Sequence, residues 1–276
     1  MATALPSRLG FGVSGALATP LVTARAAGAL ISAAFEGGVR VFDTAPAYGA
    51  GEAERRLGRA LAALPRDEVF LSTKAGLFSF GLRGRRRDFS PDAIEASVRA
   101  SLQRLGVDGV DALFLHGPAP GELTGALMTR LSELKAAGAF AALGVCGRGA
   151  EIEAAMEAGA GAIVMAPVHP FLNPAETARI ERIRGSGATL LAIETAGDAP
   201  ARFRAPRRPA DLYPLAKRLA ADGPGRGRVG VDAGLRFALE CADAALFTTT
   251  RRAHLTANLA AAGEAGGGSG RRGPAR

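Results

Sequence analysis

The chain has 276 residues, 48% of them hydrophobic, enough for one sizeable core, and carries a formal net charge of +8. Aromatic residues make up only 5% and the surplus charge is mostly arginine, so the basic balance reads as solvated charge and no nucleic-acid partner is expected. Cys146 and Cys241 fit neither a disulfide framework nor a metal-ligand spacing, no apolar run is long enough to span a bilayer, and MATALPSRLG lacks the features of a signal peptide; a cytoplasmic protein without a membrane or metal partner is expected.

Short β-rich runs alternate with longer amphipathic ones. Strands are expected near 9–14, 40–44, 69–74, 110–116, 141–146, 162–168, 188–194 and 243–248. Strands separated by helices in this way predict an α/β fold, a single-domain (β/α)8 TIM barrel over residues 1–262. Ser90 and Pro91 open one helix, Glu95 and Arg99 are spaced for an i,i+4 pair on it, and Gly106 closes it. GLFSFGLRGRRRDF, residues 76–89, is longer than an ordinary strand-to-helix loop and is a candidate lid. Its arginines read as solvated charge and, by position, as a hint of an anionic carbonyl compound. Further on, a Pro- and Arg-rich stretch over 197–209 precedes the expected helix ADLYPLAKRLAA, and another helix over Val231–Cys241 precedes the last strand. The final GEAGGGSGRRGPAR, residues 263–276, has too few apolar residues to fold and is expected to be a disordered Gly/Arg-rich tail.

Four polar residues fall at or just past the ends of consecutive expected strands: Asp43 and Tyr48 in VFDTAPAYGAGE, Lys74 in VFLSTKAG and His116 in ALFLHGP. In a parallel barrel the carboxyl ends of all strands open onto one face, so these side chains are expected to converge there. Together they can protonate a carbonyl oxygen. A neighbouring ammonium stabilises a phenolate by roughly 4 kcal/mol at 4 Å with an effective dielectric of 20. This predicts a Tyr48 pKa lowered by up to about three pH units, opposed by desolvation. Asp43 would keep Lys74 charged, and His116 would hold the substrate oxygen.

The segments FDTAPAYGAGE, GRAL, STKAG, SLQRLGVDGVDALFLHGP, LKAAG followed by ALGV, and LRFALECADAALFTTTRRAHLTANL resemble the aldo-keto reductase superfamily along nearly the whole chain. The resemblance implies a TIM barrel that binds NADPH, with NADH as the alternative, and reduces an aldehyde or ketone. It implies Tyr48 as the acid, Lys74 and Asp43 as its tuners and His116 as the orienting group.

The cofactor positions depart from the family pattern. Cys146 and Gly147 stand where the family has a Ser-Asn pair on the nicotinamide amide, and Met165 stands where it has a glutamine. Backbone groups or Glu194 are the candidate replacements. Around the adenosine phosphate the alignment places Thr248, Thr249 and His254, with Arg251 and Arg252 nearby and Asn258 at the adenine. Two alternatives follow: a sugar or polyol dehydrogenase running in the oxidative direction, and a non-catalytic barrel with a degraded nicotinamide site.

Overall fold

The computed structural model describes residues 3–79, 84–199, 206–219 and 225–266. In chain order its strands are β1 (Leu9–Gly12), β2 (Val41–Asp43), β3 (Phe70–Ala75), β4 (Leu77–Ser79), β5 (Arg85–Arg87), β6 (Val110–His116), β7 (Phe140–Cys146), β8 (Ile163–Pro167), β9 (Thr189–Ile193) and β10 (Ala244–Phe247). The helices are α1 (Ala24–Glu36), α2 (Glu52–Leu61), α3 (Pro91–Leu105), α4 (Gly125–Ala136), α5 (Ala150–Glu157), α6 (Pro174–Gly185), α7 (Leu212–Leu219), α8 (Val231–Cys241) and α9 (Arg252–Gly266). All strands except β4 and β5 pair in parallel and close into a barrel in the order β1-β10-β9-β8-β7-β6-β3-β2. This is the (β/α)8 architecture expected from the alternation of strand and helix patterns, each expected strand falling on an observed one.

Residue alternation along each strand divides the core in two. On β3, Phe70 joins Phe114, Met165, Leu191 and Leu246 in the barrel interior, while Leu71 and Ala75 face the helices. Phe114 fills the interior against Gly144, where an added Cβ would lie 2.9 Å from the ring. Truncating such a buried phenylalanine costs about 3–5 kcal/mol. Leu5 packs onto the interior cluster ahead of β1, at the end of the barrel opposite the strand carboxyl ends.

The helix boundaries follow local chemistry. Ser90 precedes α3 with Pro91 at its first position, and Gly106 ends it with φ 71°. The Arg99 Nη2 lies 2.7 Å from Glu95 Oε1 along the same helix. At α6 the Asn173 Oδ1 accepts from the Glu176 N–H at 2.9 Å while Glu176 Oε2 accepts from the Asn173 N–H at 2.8 Å, a reciprocal cap.

Three expected segments take a more definite form. The candidate lid over 76–89 is an antiparallel hairpin pairing Leu77 with Arg87, Phe78 with Arg86 and Ser79 with Arg85; Phe80–Arg83 lie outside the described residues. The helix expected from Ala210 begins with a 3-10 turn over Pro209–Asp211 and continues as α7, its last expected residues also lying outside. The terminal helix α9 runs to Gly266, beyond the boundary expected at residue 262, and residues 267–276 of the expected tail are outside the described residues. Among the described residues, no helix is long and apolar enough to cross a membrane.

Candidate active site

Period-two alternation on β2 and β3 turns Asp43, Ser72 and Lys74 toward the barrel axis at its carboxyl end. Lys74, 1% exposed, donates from Nζ to Asp43 Oδ2 and to the Thr44 carbonyl at 2.9 Å, and the Ser72 hydroxyl donates to Asp43 Oδ1 at 2.8 Å. Burial penalises the ammonium, but the Asp43 carboxylate outweighs that and raises Lys74 above the ordinary lysine range. For Asp43, burial pushes its pKa up, with Lys74 and Ser72 pulling the other way. The site is thus built on a buried, hydrogen-bonded ion pair.

Tyr48 lies above this pair. Its ring centroid is 5.3 Å from Lys74 Nζ and 6.1 Å from the His116 ring, which it meets edge-on at 82°. The turn after Tyr48 carries three successive positive φ values, Gly49 at 61°, Ala50 at 51° and Gly51 at 85°. A side chain on Gly49 would collide with the Ala18 carbonyl oxygen, so the turn is seated against the 3-10 helix Gly15–Ala18 that follows β1.

The expectation of a lowered Tyr48 pKa is corrected. Burial pushes the phenol up to about 12, against the pull of Lys74, and the Asp43 charge adds to the rise. The reason is that desolvation of the buried phenolate outweighs the Lys74 ammonium, whose pull the Asp43 carboxylate also opposes. Burial also lowers His116 to about 3, reinforced by Lys74 and Arg85, which makes it a neutral imidazole. Among the described residues, His116 Nδ1 is buried without a hydrogen-bond partner.

The positions assigned to cofactor contacts fall in two groups. Cys146 and Met165 belong to the barrel interior cluster, 7% and 1% exposed, and burial raises the Cys146 thiol to about 12. The Gly147 N–H donates to the Met165 carbonyl at 3.2 Å. Glu194, a non-glycine residue at φ 53°, pairs with Arg148 at the carboxyl end of β9. The second group follows β10. Thr248 donates to the Gly12 carbonyl at 2.8 Å, and the Thr249 hydroxyl accepts from the Arg251 N–H at 3.1 Å. Arg252 and His254 are exposed on α9, and Asn258 is buried there.

Several residues that the sequence reading passed over belong to the same structure. Ser72 was legible in principle, since alternation places it on the Lys74 face. Glu54, fully buried, accepts from the Thr73 hydroxyl at 2.7 Å and from Arg104 Nε at 2.5 Å, tying α2 to β3 and α3 beneath the Tyr48 turn. Arg208 reaches the Thr250 hydroxyl at 3.2 Å and shares Asp211 Oδ1 with Arg251, at 3.4 and 2.9 Å.

This arrangement of carboxylate, ammonium, phenol and imidazole agrees with a match to the model of the aldo/keto reductase family over residues 8–183. The chain belongs to the aldo/keto reductase family. It is similar to a D-threo-aldose 1-dehydrogenase from a Pseudomonas species, 37% identical over 139 residues, 42% of either chain. It is likewise similar to an NADH-specific methylglyoxal reductase of Escherichia coli strain K12, 37% identical over 119 residues, 39% of this chain and 36% of the relative. The matched segments therefore span less than half the length of these curated relatives. Over a longer span, a Pseudomonas aeruginosa crystal structure assigned to the aldo-keto reductases superposes with a TM-score of 0.72 at 26% identity, covering 94% of this chain and 91% of that one. Glycerol dehydrogenase from Gluconobacter oxydans, at 23% identity and a TM-score of 0.70 over 92% of this chain and 85% of that one, shares the fold.

Aldo/keto reductases use nicotinamide cofactors, and the residues of this chain fit one at the phosphate end. Two guanidinium groups share the Asp211 carboxylate, and among the described residues the buried Arg208 Nε has no partner, so charge and a donor are left over for an anion. At the other end, a buried thiol and thioether stand at Cys146 and Met165, and the polar groups beside them are backbone groups and the Arg148–Glu194 pair.

Proposed function

We propose that the protein is an NADPH-dependent oxidoreductase that reduces an aldehyde or ketone to an alcohol, with Tyr48 as the general acid. The observation that carries this reading is the buried Lys74–Asp43 pair beneath Tyr48, with His116 alongside at the carboxyl end of the barrel. The cofactor would supply hydride to the carbonyl carbon; Arg208, Arg251 and Arg252 are the candidates for its phosphates, with Thr248, Thr249, His254 and Asn258 around its adenosine half. Gly147 and Glu194 are the candidates at its carboxamide, where Cys146 and Met165 would contribute an apolar floor.

The proton chemistry belongs to this chain's own side chains. A phenol with a pKa of about 12 is fully protonated at neutral pH and so is ready to give a proton to a developing alkoxide. Lys74 stays charged and stabilises the phenolate left behind. The neutral His116 presents its unpartnered nitrogen to the carbonyl region, where the N–H tautomer at that atom would donate to the substrate oxygen. In the oxidative direction the same residue would begin as the base.

Tyr48→Phe is the direct test. Turnover of a simple aldehyde should fall about 10²–10⁴-fold, the usual contribution of a positioned general acid, while NADPH affinity measured by fluorescence titration stays close to that of the wild type. Equal turnover in the variant would remove Tyr48 as the acid. The thiol and thioether at the carboxamide end favour one other reading, a non-catalytic barrel, and failure to bind either NADPH or NADH up to millimolar concentration would support it over the reductase reading.

A further inference from the structure

The β4–β5 hairpin leaves β3 immediately beyond the Lys74 end and carries Arg85, Arg86 and Arg87 on its return strand. Alternation puts Arg85 and Arg87 on one face of that strand and Arg86 on the other. The direction of the first face is fixed by Arg87. Its Nη1 donates to the Gly117 carbonyl at 3.3 Å, next to His116, and the same guanidinium lies 3.7 Å from Glu122 and 3.9 Å from Glu151. Arg86, on the opposite face, lies 3.3 Å from Asp88. Arg85 therefore extends from the face that turns toward the barrel mouth. Its charge works weakly against the burial-driven rise at Tyr48 and adds to the fall at His116, which agrees with that direction.

Most arginines around the mouth are paired, and Arg85 on the hairpin and Arg252 on the β10 side are the exceptions among the described residues. Arg148 is paired with Glu194, Arg87 with Glu122 and Glu151, and Arg208 and Arg251 share Asp211. Among the described residues, Arg85 has neither an acidic partner nor a hydrogen bond. The nearby carboxylates are already engaged, Asp43 by Lys74 and Glu151 by the Arg148 N–H at 2.8 Å as well as by Arg87. The entrance on the β3–β6 side thus holds, among the described residues, a cation without an acidic partner on the hairpin face that turns toward the mouth. The candidate cofactor arginines flank β10, which the strand order places across the barrel from β6. An anion at Arg85 would accordingly belong to the substrate.

We propose that the substrates of this chain carry an anionic group, carboxylate or phosphate, in addition to the carbonyl, and that Arg85 is the residue that binds it. The inference rests on the reading of the chain as a carbonyl reductase. A guanidinium reads either anion by paired N–H donors, and such charge-assisted contacts are about twice as strong as neutral ones.

The test uses two matched pairs, succinic semialdehyde with butanal and glyceraldehyde 3-phosphate with glyceraldehyde, in initial-rate assays of NADPH or NADH oxidation. Wild-type protein should prefer the anionic member of at least one pair by about tenfold or more in kcat/KM, and the pair that responds identifies the anion. Arg85→Gln should collapse that ratio about tenfold, chiefly through the KM of the anionic member, and Arg85→Lys should restore part of it. Arg86→Gln, on the opposite face, should leave the ratio unchanged. Turnover of both members with equal efficiency, or a preference that survives Arg85→Gln, would overturn the anion site while leaving the reductase reading intact. No oxidation of either NADPH or NADH with any of the four compounds would overturn the reductase reading and this inference with it.

Discussion

Lys74 holds a full positive charge with 1% of its surface exposed, and that charge is tolerable only because Asp43, Thr44 and Ser72 satisfy it or its partner. Replacing Lys74 alone leaves a buried carboxylate without its cation. Lys74→Met is therefore expected to lose stability as well as turnover, by roughly 3–5 kcal/mol in a urea melt. The double variant Lys74→Met with Asp43→Asn should recover most of that stability and none of the activity, because it removes the stranded charge without restoring the ammonium beneath Tyr48. A double variant as unstable as the single one would mean that the pair acts through packing. The raised Tyr48 pKa is a separate matter, set chiefly by burial of the phenol. In a spectrophotometric titration of the cofactor-free protein, the wild-type minus Tyr48→Phe difference should contain no phenolate at pH 10, where a free tyrosine is half ionised. A difference signal at that pH would show that Lys74 dominates the phenol after all.

The elements that carry these residues were legible in the sequence to different degrees, for physical reasons. The barrel strands could be read because each is buried on both faces, and their apolar runs are bounded by helix caps such as Ser90-Pro91 and Asn173-Pro174. Asp43, Lys74 and His116 could be read because strand carboxyl ends share one face. The hairpin over 76–89 could not, since β5 is three consecutive exposed arginines with no apolar alternation. Arg208 lay hidden in a Pro- and Arg-rich stretch, and its relation to Thr250 depends on a contact 42 residues away. The support of the Tyr48 turn was equally hidden, because the Glu54–Arg104 contact joins residues 50 apart. This turn is where backbone conformation and function meet. Ala50 stands at φ 51°, which costs an alanine about 1–2 kcal/mol, whereas Gly49 cannot accept a side chain against Ala18. Ala50→Gly should thus raise stability by a fraction of that cost, offset by the entropy of the new glycine, while Gly49→Ala should lower both Tm and turnover. Two variants with the same Tm would show that the turn is not pinned to the 3-10 helix.

At the scale of the whole molecule, burial of neutral imidazole sets how stability responds to acid. His116 is lowered to about 3, and His169, 1% exposed with its Nδ1 accepting from the Phe171 N–H at 3.2 Å, is lowered as well. In the unfolded chain both return to about 6.5. Between these limits the unfolded state binds more protons than the folded state, so stability is full above the unfolded value and falls as pH drops through the window. One such group contributes at most about 1.4 kcal/mol per pH unit. The depressed carboxylates act lower: hydrogen bonds from Arg226 and Arg251 hold Asp198 and Asp211 at about 2, so they take up protons only near the acid end. Asp43, its pKa raised by burial, has the opposite sign, since the folded state binds its proton first and gains relative stability as pH falls. From pH 7 to pH 5 the two buried histidines therefore act to lower stability, against the opposite tendency of Asp43. Thermal melts across that range should show Tm falling with pH in the wild type and falling less steeply in His116→Gln, which keeps a polar group at the mouth but has nothing to titrate. Parallel slopes in the two proteins would assign the acid response elsewhere and would remove the argument that His116 is held neutral by its surroundings.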